Sequence, residues 1–176
     1  MAEAAPIRLW AMRALYLASC GAMILAALLP LGGLPRSVPP PDFILALTFA
    51  WLMRRPEQVP LWSVVAVFAV ADIVFMHPPG LHTALAVLAT EYIRTHPRLS
   101  REPSLASEVA RVAVLVIAIA VAERLLLAVT LSPAPPLGAA LAQALLTILV
   151  YPAAVLVTRI VFAVRRPRAE PQGAAA

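Results

Sequence analysis

Three residues that could bind a metal ion or relay protons lie within one short stretch, VFAVADIVFMHPPGLH, which runs from Val67 to His82. Asp72 is the lone charge in an apolar run, and His77 and His82 flank a Pro-Pro-Gly turn. One carboxylate and two imidazoles are a usable set for either chemistry. Because histidines on the two sides of such a turn are not spaced as ligands on one helix, we predict no metal and no other cofactor.

A structural role for Asp72 is the favoured interpretation. The HPPG turn brings the start of the next helix back beside Asp72, and a helix start offers free backbone N–H groups and a positive dipole end to a carboxylate. Gly80 allows a close approach of the backbone. We therefore predict that Asp72 pins this hairpin, with His82 or Arg124 as a further partner.

The composition indicates which solvent surrounds these residues. The chain has 176 residues, is 62% hydrophobic and 13% charged, and has a mean hydropathy of +0.88. A soluble domain is roughly half apolar and about a quarter charged. We therefore predict an integral membrane protein with no soluble domain. All 14 basic residues are arginines, and most of them lie in the short connections between apolar blocks or at the chain ends, which favours a role in topology over nucleic-acid binding.

Six apolar blocks follow one another along the chain: Leu9–Leu29, Phe43–Met53, Leu61–Met76, Leu81–Ile93, Val109–Leu131 and Leu137–Val164. The first, fifth and sixth are long enough to cross the ~30 Å hydrocarbon core as helices. The three middle blocks are short, so they either extend into flanking polar residues or lie buried among the long ones. The fold class predicted is an all-α integral membrane protein, with one six-span domain over residues 1–164 and a disordered cytoplasmic tail over residues 165–176.

The arginines cluster in alternate loops, and this predicts the orientation. They occur near the N-terminus at Arg8 and Arg13, between the second and third blocks, between the fourth and fifth, and after the sixth, while the other three loops carry one arginine among them. Because cytoplasmic loops collect arginine, six spans with both termini in the cytoplasm fit every loop. Leu17–Cys20 also matches a lipoprotein cleavage pattern, but Arg13 interrupts the preceding apolar stretch, so we predict a membrane span here.

Charges within the apolar blocks are the candidates for function, because an unpaired charge in hydrocarbon costs several kcal/mol. Besides Asp72, they include Glu91, which lies three residues before Arg94 and predicts a surface ion pair. Glu123 and Arg124 are neighbours, and neighbouring helical positions point about 100° apart. Each therefore needs its own partner on another helix or in another protein.

Other polar residues are interpreted as helix caps. Asp42 follows three prolines, which cannot continue a helix, and its carboxylate can accept from the free N–H groups of the next one. We favour this capping role for Asp42 over a catalytic one. Ser104 is a similar candidate cap for the fifth block.

A ladder of small residues marks the first block, with alanines every four residues at Ala14, Ala18, Ala22 and Ala26. Such a ladder lies on one helix face and lets another helix backbone approach closely. The alternative is that alanine is simply abundant in this chain. Cys20 in the same block is the only cysteine, so the chain forms no disulfide with itself.

The sequence carries none of the motifs of common enzyme classes. It has no Gly-x-Ser-x-Gly, no His-Glu-x-x-His, no Gly-rich phosphate loop and no carboxylate cluster of the kind that supports phosphoryl transfer. We therefore predict that the chain is not an enzyme.

The order of elements over about residues 40 to 100 resembles the rod shape-determining MreD family, most closely its alphaproteobacterial members. That pattern is a Pro-Asp pair before a short span, a basic loop, a span with a lone Asp, and a Pro-Gly-Leu turn before a further helix. Pro41–Asp42, Asp72 and Pro79–Leu81 match these elements. Ala69 and Ala71 stand where the family pattern has a glycine before the Asp, which argues against carrying over glycine-dependent packing.

The resemblance implies a non-enzymatic, multi-pass scaffold of the bacterial inner membrane that acts in cell elongation, cell shape and lateral peptidoglycan synthesis. Its implied partners are MreC and, through it, MreB filaments, the glycosyltransferase RodA and a class B penicillin-binding transpeptidase, together with membrane lipid. The family also resembles the six-helix S components of energy-coupling-factor transporters. The alternative function is therefore a substrate-binding component of a small-molecule, vitamin-type transporter.

Overall fold

The computed structural model describes residues 4–29, 39–96, 104–133 and 135–160, with side chains from residue 7 onward. These residues form six α-helices, one 3-10 helix at Pro56–Gln58, and no strand, which confirms the all-helical prediction. The α-helices are α1 Ala4–Leu28, α2 Phe43–Leu52, α3 Leu61–Val74, α4 Leu81–Thr95, α5 Leu105–Val129 and α6 Leu137–Ile160.

Three of these helices are long and apolar enough to cross a membrane: 22 residues of α1 from Ile7, all 25 residues of α5, and all 24 residues of α6. At a rise of 1.5 Å per residue each is about 33–38 Å long, which exceeds the ~30 Å hydrocarbon core. The helices α2, α3 and α4 have only 10, 14 and 15 residues. The predicted division into three long and three short segments is therefore confirmed.

Helix α2 is the centre of the bundle. Nine of its ten residues, from Ile44 to Leu52, are buried, because the helix is apolar on every side and packs against α1, α4 and α6. Of the two possibilities for the short segments, burial among the other helices thus applies to α2. Helix α4 instead extends past its apolar block to include Arg94 and Thr95.

Aromatic side chains connect α1 to this centre. The rings of Tyr16 and Trp51 meet edge to face, with centroids 5.6 Å apart, which is a favoured geometry for aromatic pairs. The hydroxyl oxygens of Tyr16 and Thr48 lie 3.0 Å apart, within hydrogen-bond distance, and Trp51 Nε1 donates to Gln58 Oε1 over 2.9 Å. The polar tips of both rings are therefore satisfied inside the protein.

Large apolar side chains remain exposed along the long helices. On α5 they include Val114, Ile117, Val121 and Leu125, which recur at helical spacing on one face. A face of this kind is unfavourable in water but suits a hydrocarbon environment. The structure is therefore compatible with a membrane protein.

The observed helix bounds correct several predicted ones. Helix α1 begins at Ala4 and not at Leu9, and α5 begins at Leu105 and not at Val109. Helix α1 includes Pro6 in its first turn, where a proline is tolerated because the N–H groups there have no intrahelical partner, and α5 starts directly after its N-cap residue Ser104. The end of the sixth block and the tail at residues 165–176 lie outside the described residues.

Helices α2, α4 and α6 run in one direction, and α1, α3 and α5 run in the other. Polar and charged residues gather at both ends of this bundle. We call one the arginine end and define it by Arg13, Arg54, Glu57, Arg94 and Glu108. We call the other the histidine end and define it by Asp42, Asp72, His77, His82 and Glu123.

Candidate functional site

The histidine end brings together four of the residues singled out from the sequence. Asp42 lies before α2, Asp72 near the end of α3, His82 in the first turn of α4, and Glu123 in α5. Asp42 and Asp72 accept hydrogen bonds at the starts of α2 and α4, where free backbone N–H groups and the positive end of the helix dipole favour a carboxylate. This cluster is the candidate functional site.

Asp42 caps α2, as predicted. Its Oδ1 atom accepts a hydrogen bond from the backbone N–H of Leu45 over 2.9 Å. Its own backbone N–H donates to Thr147 Oγ1 on α6, also over 2.9 Å. The start of the buried central helix is thereby fixed both to its own first turn and to a long helix.

Asp72 closes the hairpin between α3 and α4, which confirms the predicted contact. Its Oδ2 atom accepts from the backbone N–H of Gly80 over 3.0 Å and of Thr83 over 3.1 Å. The Thr83 hydroxyl donates to the same oxygen over 2.7 Å. Gly80 has φ +81°, a left-handed conformation that glycine adopts without strain, and this conformation aims the start of α4 at the carboxylate.

The further partner of Asp72 differs from both predicted candidates. His77 Nδ1 lies 3.6 Å from Asp72 Oδ1, and the His77 backbone N–H donates to the Asp72 carbonyl over 2.9 Å. The predicted partners, His82 and Arg124, are engaged elsewhere. Because the turn after α3 is tight, the residue five positions after Asp72 reaches it before any residue of α5 does.

His82 instead joins three helices. Its Nε2 atom lies 2.9 Å from Asp42 Oδ2, and its Nδ1 atom lies 3.8 Å from Glu123 Oε2. The imidazole therefore stands between two carboxylates, one before α2 and one on α5, while its backbone belongs to α4. A protonated ring in this position interacts favourably with both carboxylates.

Aromatic rings line this histidine. The rings of His77 and His82 lie 5.7 Å apart, and the ring of Phe68 lies at the same distance from His82. Within the described part of the chain, no three His, Cys, Asp or Glu side chains are arranged to hold a metal ion. The cluster is therefore organised around carboxylate and imidazole pairs.

Glu123 and Arg124 find separate partners, as their positions on the helix predicted. Glu123 faces His82 on α4. Arg124 Nη1 donates to the backbone carbonyl of Pro135, in the connection to α6, over 2.7 Å. Arg124 therefore binds the adjacent turn and not Asp72.

The arginine end contains a buried network that the sequence interpretation missed. Arg54 Nη1 lies 3.1 Å from Glu108 Oε1, and the two side chains are only 0% and 3% exposed. Tyr151 donates its hydroxyl proton to the same carboxylate over 2.6 Å, and Arg54 also donates to the Ala50 carbonyl. The network thus joins the end of α2 to α5 and α6.

No local signal distinguishes these residues. Arg54 stands beside Arg55 in what looks like an ordinary basic loop, and Glu108 looks like an ordinary acidic residue in the first turn of a helix.

Ser104 occupies the N-cap position of α5 as predicted, but its side chain makes no capping hydrogen bond. Instead, its carbonyl accepts from the Glu108 N–H and the Ser107 hydroxyl.

The predicted pair of Glu91 and Arg94 is present, with Glu91 Oε1 and Arg94 Nε 2.9 Å apart. Arg94 has a second role as well, because its Nη1 and Nη2 atoms donate to the carbonyls of Pro56 and Val59 over 3.2 Å and 2.7 Å. Arg13 donates to the Glu57 carbonyl over 3.2 Å. Arginines from α1 and α4 therefore hold the connection between α2 and α3.

The alanine ladder of α1 lies away from the bundle. Tyr16, Cys20 and Ile24 form the buried face of this helix. The four alanines are exposed and lie on the opposite face: Ala14, Ala18, Ala22 and Ala26. The ladder is thus not the face that α1 packs within the described chain.

Comparisons with known proteins leave the family open: no family model, no curated protein and no solved structure matches this chain.

Proposed function

We propose that this chain is a multi-pass protein of the bacterial inner membrane that serves as a non-enzymatic scaffold of the cell-elongation complex. In this proposal the fold is of the S-component kind and both termini are cytoplasmic, so that the arginine end faces the cytoplasm. The order of motifs in residues 40–100, which resembles the MreD family, supplies the identity. The proposed partners are MreC and, through it, MreB, RodA and a class B penicillin-binding transpeptidase.

The observation that carries the proposal is the division of α1 into two faces. One face is buried at Tyr16 and Cys20, with the Tyr16 ring against Trp51 of α2, and the other exposes alanines at every fourth position. Small residues let helix backbones approach closely in membranes, where dispersion and packing drive association. The exposed alanine face is therefore suited to receive a partner's transmembrane helix.

The paired charges support the same function. The carboxylates of Asp42, Asp72 and Glu108 are each bound by groups of the same chain. Such contacts fix the relative positions of α2 to α6. A scaffold requires this rigidity, because it holds partners in a set geometry.

The test is co-purification of the full-length tagged protein from its native host in mild detergent, followed by mass spectrometry. Recovery of MreC with the elongation synthase is the expected result. The variant pair Ala18→Leu and Ala22→Leu should reduce that recovery. Ala118→Leu, the same change at an exposed alanine of α5, is the matched control and should leave it unchanged.

One observation favours the second candidate, a substrate-binding component of a vitamin-type transporter. Asp72 Oδ1, His77 Nδ1 and His82 Nδ1 are buried polar atoms that make no hydrogen bond within the described residues. Buried polar atoms without a hydrogen bond can form one with a small molecule. Co-purification of a pair of ATPases with a transmembrane coupling subunit, in place of MreC, would support this candidate and overturn the scaffold.

A further inference from the structure

A shallow groove of about 230 Å³ lies between α2, α4 and α5 near the arginine end. Its lining is almost entirely apolar, with one charged residue: Met53, Tyr92, Ala110, Arg111, Val114 and Leu115. Small-molecule pockets are commonly about 300–1,000 Å³ and enclose their ligand. This groove is smaller, and its Val114 and Tyr92 side chains are 66% and 49% exposed, so it suits a chain-shaped ligand lying along the helices.

The order of residues along the groove gives the chemistry of that ligand. Helix α5 runs inward from the arginine end, and Arg111 comes one turn before Val114 and Leu115. The exposed apolar face continues inward through Ile117 and Val121. A cation near the end of the bundle followed by apolar surface matches a phosphate headgroup followed by an acyl chain.

The side chains of Tyr92 and Arg111 also suit a position at the membrane boundary, where a lipid headgroup lies. Long arginine side chains lie along apolar surface and carry their charge toward the membrane boundary. Tyrosine is enriched at that boundary, because its ring is apolar and its hydroxyl is polar. Tyr92 and Arg111 line the same groove from different helices, so both can contact one headgroup.

The charge balance of this end favours an anionic ligand. The described residues near it include three glutamates, Glu57, Glu91 and Glu108, and seven arginines: Arg8, Arg13, Arg54, Arg55, Arg94, Arg111 and Arg159. The excess of positive charge raises the local concentration of anions. Basic sites between transmembrane helices at this membrane face are known to bind anionic headgroups.

We propose that this groove binds an anionic phospholipid, with an acyl chain against Met53, Val114 and Leu115 and the phosphate on Arg111. The inference rests on the membrane location proposed above but not on the role in cell elongation. A failure to recover MreC would therefore leave it standing.

The test is native mass spectrometry of the purified full-length protein in detergent, titrated with phosphatidylglycerol or with phosphatidylcholine of the same acyl chains. The wild type should bind phosphatidylglycerol about fivefold more tightly, the factor that corresponds to about 1 kcal/mol for one basic residue near the headgroup. Arg111→Gln should abolish this preference, and Arg111→Lys should keep most of it because the charge remains.

Two further variants distinguish binding in the groove from a general attraction to the positive charge of this end. Val114→Trp should fill the apolar part and weaken binding of both lipids. Arg159→Gln removes a charge from the same end on α6 and should leave the preference unchanged. Size-exclusion elution identical to wild type is the folding control for each variant.

Equal affinity of the wild type for the two lipids would overturn the proposal. So would an Arg159→Gln variant that loses as much preference as Arg111→Gln, because the attraction would then be diffuse. Unchanged binding in Val114→Trp would show that the lipid lies outside this groove.

Discussion

The starts and the ends of α2 and α4 carry opposite charges for the same physical reason. Helices α2 and α4 both start at the histidine end, where Asp42 and Asp72 accept hydrogen bonds from backbone N–H groups at their starts. Both helices finish at the arginine end, where Arg54 donates to the Ala50 carbonyl of α2 and Arg94 lies in the last turn of α4. Carboxylates thus complement the positive ends of the helix dipoles, and arginines complement the negative ends.

Two ion pairs, one at each end, differ in how deeply their charges are buried. The Arg54 and Glu108 side chains are almost completely excluded from solvent, whereas those of Asp42 and His82 are 19% and 12% exposed. A buried ion pair is costly to break because the remaining charge is then neither paired nor solvated by water. The pair of Arg54 and Glu108 should therefore be more sensitive to loss of one partner than the pair of Asp42 and His82.

The largest effect is expected from Glu108→Ala. It leaves the Arg54 guanidinium buried without its carboxylate and should lower the free energy of unfolding by about 3–5 kcal/mol. Denaturant titration of the purified protein in detergent measures this loss. A triple variant with Arg54→Met, Glu108→Leu and Tyr151→Phe should recover most of it, since an apolar replacement of the whole network has no unpaired charge. A loss below about 1 kcal/mol in Glu108→Ala would refute the contrast between the two pairs.

The next largest effect is expected at the histidine end, from Asp72→Ala. Three donors lose their acceptor, two of them the backbone N–H groups of Gly80 and Thr83, so the hairpin should lose about 2–3 kcal/mol. Lower yield of folded protein in the membrane is the measurement. Asp72→Asn keeps an acceptor oxygen and should lose less. Normal yield of Asp72→Ala together with lost partner recovery would instead identify Asp72 as a partner contact.

A smaller effect is expected for the pair of Asp42 and His82. Asp42→Asn keeps a capping side chain but removes the charge, and His82→Gln removes the imidazole. A double-mutant cycle on these two changes should give a coupling of about 1 kcal/mol, because the contact is close and only partly exposed. The same cycle between Asp42→Asn and Glu91→Gln, at opposite ends, should give none. Equal coupling in the two cycles would indicate a global effect of Asp42 and not this contact.

Contacts that are local in the sequence were predictable. Asp42 and Leu45 are three residues apart, and Asp72 and Gly80 are eight apart, so a cap and a turn could be inferred from residue order. The three long and three short segments likewise followed from the lengths of the apolar blocks. In each case the interaction or property lies within one continuous stretch of the chain: a helix end, a turn or a single apolar segment.

Contacts between distant residues were not predictable. His82 and Asp42 are 40 residues apart, and Tyr151 and Glu108 are 43 apart. Their meeting depends on how α2 packs against α4 and how α5 packs against α6, and no residue spacing encodes that arrangement. The burial of Arg54 was missed for the same reason. The local sequence around a basic loop residue is the same whether its side chain faces water or a neighbouring helix.

The smallest effect is expected for the half-exposed pair of Glu91 and Arg94, and it separates two roles of one arginine. Glu91→Gln removes only the ion pair and should cost less than about 0.5 kcal/mol. Arg94→Gln also removes the hydrogen bonds to the Pro56 and Val59 carbonyls, so it should cost about 1 kcal/mol or more. Denaturant titration of both variants measures the difference. If the two losses were equal, the ion pair alone would account for Arg94, and the arginines would not hold the connection between α2 and α3.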